Sequence, residues 1–320
     1  LWNPFVFFQI RKILKIEKPT IVHVHALYSL SFSVISAVKS LKIPVIYTDH
    51  AYFGLCINSG FSRPLKGICL KQCTLCKLWS SWNKIFLRRN VSFIFLSKFA
   101  HSLYERTLKL KLPMRVLHNS SFFSKEEIEN IYKIKKEKLK NKEKLIFLFI
   151  GFLEFQKGIV AAIEAFKRSN LKKSELWIIG KGRFKNYVEH NVKLDRRIKY
   201  FGYIENEKIK EIALDSHVLL FPSEFYEGSP TTIQEAYAYG LPIIATDLGS
   251  ITEHIKVGET GFLFKYKNIN ELSKLMEWFE NNMDEIDKFS ENCFKVALSN
   301  CKEEYIRKYL ELIKDCLNTV

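Results

Sequence analysis

Phe221-Pro222-Ser223-Glu224-Phe225-Tyr226-Glu227-Gly228-Ser229-Pro230-Thr231-Thr232-Ile233-Gln234-Glu235-Ala236-Tyr237-Ala238-Tyr239-Gly240-Leu241-Pro242 is the stretch whose reading decides the fold. Ser229 suits a helix N-cap and Pro230 the first helical turn, so a helix is expected to start here and to stop about three turns later at Gly240 and Pro242. The peptide N–H groups from Gly228 to Thr232, with the positive end of the helix dipole, then form a field that suits a diphosphate. Glu235 lies one turn beyond Thr231 and Thr232 and shares their face, where a carboxylate accepts hydrogen bonds from ligand hydroxyls. Glu227 sits in the loop on the other side, eight residues before Glu235. That spacing is weak by itself, because an ordinary capped helix in a charged protein carries the same residues.

Outward from this stretch, short apolar runs alternate with amphipathic helical segments, the pattern of parallel sheets covered by helices. Expected strands are Thr20–His23, Pro44–Asp49, Ser92–Ser97, Arg115–His118, Leu145–Ile150, Leu176–Ile179, Ile198–Gly202, Val218–Pro222, Pro242–Thr246 and Gly261–Phe264. A chain of 320 residues can bury one large core or two smaller ones, and two domains are the better expectation. Residues 124–144 are dominated by Lys and Glu with almost no bulky apolar periodicity, and are read as a charged linker and hinge. The longest nearly uncharged apolar run, Leu145 to Leu153, is too short to span a membrane.

The string Glu227-Gly228-Ser229-Pro230, then Glu235-Ala236-x-Ala238-x-Gly240-x-Pro242-x-x-Ala245-Thr246, then Gly249-Ser250 and Gly258-x-x-Gly261-Phe262-Leu263 resembles the carboxy-terminal signature of glycosyltransferase family 4. The match is dense over residues 217–264 and looser from about residue 20 onward. The resemblance implies an α/β protein of the GT-B fold, with two facing Rossmann-like domains, parallel sheets and a cleft between them. On that reading residues 1–123 form the acceptor-side domain, completed by a helix over 301–320, and residues 145–300 bind a nucleotide sugar. The family's first domain opens with a strand and a glycine-rich turn that are not found here, so the chain is expected to lack the start of that domain.

The resemblance also implies roles. Glu235 would hold the ribose, and Lys157 with the amides of Gly228, Ser229, Thr231 and Thr232 around Pro230 would hold the diphosphate. Glu227 would meet sugar hydroxyls. Gly151 and Lys157 match a family motif over Gly151–Gly158, whose arginine position holds Phe152 here; Arg183 is a candidate substitute. His50, ending Val45-Ile46-Tyr47-Thr48-Asp49-His50, is similar to the family's histidine that contacts the transferred sugar, at a strand end where α/β sheets place ligands. His50 and Glu227 are thus the expected catalytic pair in a retaining transfer that requires no cofactor or metal. His23 and His25 alternate in a strand and face one way, which suits a strand-end structural role better than a metal pair.

Cys56, Cys69, Cys73 and Cys76 lie in one polar loop, and four thiolates suit tetrahedral zinc that would brace an acceptor-side loop; reduced thiols and disulfides are the alternatives. Cys293, Cys301 and Cys316 fall on helical stretches. The net charge of +16 calls for an anionic partner or a solvated lysine face. With the resemblance, the expected partners are a nucleotide sugar and a glycan or lipid-linked acceptor, and no nucleic acid. The aromatic, basic segment Phe5–Lys15 is compatible with peripheral contact at an anionic membrane, so a cytoplasmic place, at times on the inner membrane face, is expected. The reaction expected is retaining hexosyl transfer in cell-surface polysaccharide assembly. A nucleotide-sugar epimerase of the same architecture and a basic nucleic-acid-binding protein are the competing readings.

Overall fold

The computed structural model describes residues 2–27, 30–63, 67–69, 71–140 and 143–318, residue 63 by its backbone alone. The chain divides into two units, one comprising Leu1–His118, Tyr226–Ser229 and Ile306–Val320, the other Asn119–Phe225 and Pro230–Tyr305.

In the first unit α1 (Pro4–Glu17), β1 (Val22–His25), α2 (Ser33–Ser40) and β2 (Val45–Thr48) are followed by the short antiparallel pair β3 (Ser62–Arg63) and β4 (Gly67–Ile68), then α3 (Thr74–Leu87), β5 (Ser92–Phe93) and α4 (Lys98–Leu108). Asn3 caps α1 by accepting from the Val6 amide, with Pro4 in the first turn, and Ser97 caps α4 through the Ala100 amide. The sheet is parallel in the order β1-β2-β5, and its register sets His25 opposite Thr48. Leu27, Ile35, Val38, Tyr47, Leu55, Phe93 and Tyr104 make the core. The expected strand Ser92–Ser97 is a ladder only to Phe93. The expected strand Arg115–His118 is reduced to one bridge, Val116 with Phe95.

The second unit begins with α5 (Lys125–Leu139), then β6 (Leu145–Ile150), α6 (Ile159–Arg168), β7 (Ser174–Ile179), α7 (Lys185–Leu194), β8 (Ile198–Tyr200), α8 (Asn206–Asp215), β9 (Val218–Phe221), α9 (Thr231–Ala238), β10 (Ile243–Asp247), β11 (Gly261–Lys265), α10 (Ile269–Asn281) and α11 (Ile286–Ser299). All six strands are parallel, in the order β11-β10-β9-β6-β7-β8. Their continuous apolar runs follow from burial on both faces, as Phe147, Leu176, Val218 and Ile244 show. α12 (Lys302–Asn318) starts in this unit and, from Ile306, belongs to the first.

The charged stretch 124–144 is not a bare connection. Ser124 and Glu127 form a reciprocal capping box that starts α5, and Ile128, Ile131, Lys135 and Leu139 recur on one buried face. Lys135 is 1% exposed, and its Nζ donates to the carbonyls of Leu214, at 3.0 Å, and Ser216. Those carbonyls end α8, where a cation also meets the negative pole of the helix dipole. The linker reading failed because this lysine is a core residue whose charge is matched by a helix end.

Lys135→Met is therefore expected to lower unfolding free energy by about 1–3 kcal/mol, since both carbonyls lose a charged donor. Lys133→Met, on the exposed face of the same helix, should stay within about 0.5 kcal/mol. Urea denaturation of the two variants checks the contrast, and equal losses would refute it.

Candidate active site

In the first unit the site is built on the end of β2. Asp49 fixes the turn that follows: Oδ1 accepts from the Ala51 amide at 3.3 Å, and Oδ2 accepts from the Gly54 amide at 3.0 Å and from the Tyr104 hydroxyl. His50 is thereby set just past the carboxyl end of the central strand, its Nε2 3.0 Å from Nδ1 of His25. His23, on the same face of β1, stacks against His25 with ring centroids 3.9 Å apart. Its Nε2 lies 2.9 Å from Thr48 Oγ1 and its Nδ1 2.7 Å from the Tyr309 hydroxyl on α12. The shared face of the two β1 histidines follows from strand alternation; Tyr309, nearly three hundred residues away, carries no signal in the local sequence.

Residues Tyr226–Ser229 pack on the same unit. Tyr226 stacks on Phe99 at 5.0 Å between centroids and meets Phe61 edge-on. The Tyr52 hydroxyl donates to the Glu227 carbonyl at 2.7 Å. Tyr52 itself takes φ +58°, a left-handed conformation that costs a bulky residue about 1–2 kcal/mol and is held here by complete burial of its ring. A Cβ on Gly228 would stand 2.7 Å from the His50 carbonyl oxygen and 3.3 Å from Leu96, so only glycine allows this approach. Glu227 and Ser229 are buried beside it. The chain at His50 and the Glu227–Gly228 peptide are thus held together by Tyr52, which the sequence offered only as the end of the motif Thr48-x-His50-x-Tyr52.

Burial, with the positive charge its two neighbours would carry, pushes the His23 imidazole down to about 3. Partial desolvation also lowers His25, with His50 adding to it, and lowers His50 against the opposing pull of Asp49, although both residues keep solvent-exposed surface. The three rings are neutral near pH 7 and act as hydrogen-bonding groups rather than cations.

In the second unit the helix start differs from expectation. Pro230 is the N-cap, with ψ 117°, and makes no side-chain cap; Ser229 precedes it, and α9 runs two turns, to Ala238. Proline held in extended backbone delays the first helical residue to Thr231. The first amides of α9 still have no partner within the helix. Its underside is fixed by Gln234, which meets His254 Nδ1 at 3.0 Å and accepts from Asn300 at 2.9 Å. Glu235 and Thr232 line a cavity of about 370 Å³ together with Glu127, Lys210 and Tyr239, and burial raises the Glu235 carboxyl above the usual range.

Gly151 closes β6, its amide donating to the Ile179 carbonyl at 3.1 Å. Lys157 ends the single turn Phe155–Lys157, its ammonium 4.6 Å above the Phe225 ring. Gly158 follows with φ +74°, where a Cβ would stand 1.8 Å from the Pro222 carbonyl oxygen, so this turn is seated against the end of β9. Arg183 does not substitute for the missing arginine: its guanidinium bonds Glu154 at 2.9 Å and is mostly solvent-exposed, and Phe152 is exposed. Sequence reading passed over Glu224. Its amide donates to the Gln156 carbonyl at 2.7 Å, and its Oε2 is buried with no hydrogen-bond partner among the described residues. Burial raises its carboxyl. Its position just past a strand end was the available signal.

The tetrahedral thiolate site is not assembled: among the described residues no three His, Cys, Asp or Glu side chains are arranged to hold a metal ion. Cys56 and Cys76 instead form a buried thiol contact, Sγ to Sγ 3.8 Å, with Cys69 and Cys73 packed against the same apolar core. Burial pushes the Cys76 thiol up to about 12, which keeps it protonated. The spacing misled because the pair packs as small hydrophobes. Among the described residues no helix is long and apolar enough to cross a membrane.

Comparison with known proteins accords with this geometry. A family model described as glycosyl transferases group 1 matches residues 130–296, and one described as glycosyltransferase family 4 matches residues 1–120. A Klebsiella pneumoniae protein named as an uncharacterized 41.2 kDa protein in cps region is 24% identical over 97% of this chain and 82% of its own length. Among solved structures, Anabaena HepE in complex with UDP superposes with a TM-score of 0.76 at 14% identity, over 98% of this chain and 82% of that one. A glycosyltransferase from Rickettsia africae gives 0.75 at 19%, over 99% and 83%. The fold is that of the GT-B glycosyltransferases.

The depressed histidines give a pH dependence with a definite sign. Below the ordinary value of 6.5 the unfolded chain takes up protons that folded His23, His25 and His50 refuse. Their stabilising effect is whole above that pH and is lost as pH falls toward the folded values. The thermal midpoint is expected to be lower at pH 5 than at pH 7.5, with His23→Gln reducing the difference; an unchanged difference in that variant would contradict the assignment.

Proposed function

The chain belongs to the glycosyl transferases group 1 family, and from that we propose that it moves a sugar from a nucleotide-sugar donor to a hydroxyl of a glycan or lipid-linked acceptor, with retention of anomeric configuration. The observation that carries this reading is the seating of the Glu227–Gly228 peptide on His50, at a distance only glycine allows. It sets one carboxylate and one neutral imidazole at a strand end, a pair suited to hydrogen-bonding sugar hydroxyls. A neutral ring cannot offset the charge that grows on a departing diphosphate. That task falls to Lys157 and to the amides at the start of α9, which are fixed in place before reaction and need no reorganisation.

Glu235 in its half-enclosed cavity takes the ribose hydroxyls. The complex of Anabaena HepE with UDP supports a nucleotide-linked donor. The acceptor hydroxyl attacks from the side the diphosphate leaves, and its proton passes to the departing phosphate oxygen. In this scheme neither Glu227 nor Glu235 forms a covalent sugar intermediate.

Thermal-shift measurement against UDP, GDP and ADP tests the donor assignment. One nucleotide at saturating concentration is expected to raise the midpoint by about 3 °C or more, and Glu235→Ala to abolish that rise. Gly228→Ala should keep the nucleotide response yet lower turnover at least ~10-fold, because it displaces the Glu227 peptide from His50. If none of the three nucleotides stabilises the wild-type chain, the reading fails.

A further inference from the structure

α3 packs Cys76, Trp79, Phe86 and Leu87 against the core yet leaves a second apolar face outside. Its buried positions include Ser80 and Asn83, whose polar atoms are used inward: Asn83 Nδ2 donates to the Gly54 carbonyl at 3.2 Å, and Ser80 Oγ donates to the Lys77 carbonyl and accepts from Gln72. Its outward face carries Leu75 and Leu78, each 66% exposed, with Trp82 at 45% and Ile85 at 51%. The spacing of these four, at i, i+3, i+7 and i+10, makes one continuous stripe along the helix. Single exposed apolar residues are ordinary, but a full helical stripe of large ones marks an interaction surface.

The charge around the stripe says what it meets. From His50 to Tyr104 the sequence contains no Asp or Glu, while Lys71, Lys77, Lys84, Arg88 and Arg89 lie on α3 or at its two ends. Lys71, Lys77, Arg88 and Arg89 are exposed. A row of leucine, tryptophan and isoleucine in a segment whose only charged side chains are cations fits the headgroup and upper acyl region of an anionic bilayer: the apolar row enters, and the lysines and arginines stay at the phosphates. A protein partner would need an apolar groove edged by acids to the same extent, and a second copy of this chain would set like charges against each other. We propose that α3 is the surface by which this protein docks on membranes rich in anionic lipid. This surface is distinct from the segment Phe5–Lys15 singled out from sequence: α1 packs Val6, Ile10 and Leu14 inward and leaves Phe5, Phe8, Ile13 and Ile16 exposed.

The proposal stands apart from the donor assignment, which nucleotide thermal shifts test separately. The full chain is sedimented with phosphatidylcholine vesicles, with and without about 30% phosphatidylglycerol. Binding is expected only to the anionic vesicles, weakening at least ~5-fold when salt is raised from about 0.1 to about 0.5 M. Leu75→Glu combined with Leu78→Glu should weaken it at least ~10-fold while leaving the thermal midpoint and the nucleotide response unchanged. As an independent readout, brominated lipid should quench an emission component that Trp82→Phe removes. No binding to anionic vesicles, equal binding by the double variant, unquenched Trp82, or a solution dimer that the double variant dissociates would each overturn the proposal.

Discussion

The contact between Gly228 and the carbonyl of His50 is the constraint from which the rest of the site takes its geometry. Every other residue type brings a carbon to 2.7 Å from that oxygen and pushes the two strands of chain apart. The approach is secured from both sides of the glycine's own peptide. Tyr226 is trapped between aromatic rings just before it, and Tyr52 holds the Glu227 carbonyl. Asp49 in turn holds the His50 turn through two backbone amides and a buried phenol. A carboxylate and an imidazole from distant parts of the sequence are therefore placed by backbone packing, with little left to side-chain flexibility.

In each unit the candidate binding groups, His50 and Glu227 in the first and Lys157 and Glu235 in the second, are few, and a larger set of hydrogen-bonded residues positions them. His25 and Thr48 orient the strand-end histidines, and Gln234 with Asn300 anchors the helix whose free amides face outward. Desolvation then sets the charge states, keeping the histidines neutral and raising Glu235.

What could be read from the sequence follows the strength of local signals. β6 was expected at Leu145–Ile150 and is found there, because a doubly buried parallel strand writes an uninterrupted apolar run. Gly228 and Glu235 were singled out through a dense motif over residues 217–264, and Lys157 through a separate one over Gly151–Gly158. The first unit was harder, since its strands are two to four residues long and Phe95–Val116 is a single bridge with no ladder pattern to detect. Two helices show where polarity misleads. α5 hides a buried lysine in a lysine-rich stretch, and α3 turns Leu75 and Leu78 outward and its asparagine inward. In both helices a hydrogen-bond partner supplied by another segment holds the buried polar side chain, Leu214 for Lys135 and Gly54 for Asn83. The four cysteines failed for a related reason: spacing counts residues along the chain, whereas thiol chemistry depends on the medium around the sulfur.

The first unit is assembled from three stretches of chain, one of them only the four residues Tyr226–Ser229, and the second from two. Modules usually travel between genes as contiguous blocks. Here a crossover anywhere between the codons of Tyr52 and Tyr226 would deliver a hybrid in which a foreign strand end faces the resident Glu227–Gly228 turn, or the converse. Descendants of such an exchange would keep the fit only when both parents already agreed at Tyr52, His50 and Gly228, so these positions should resist mosaic inheritance even where the surrounding sequence drifts freely.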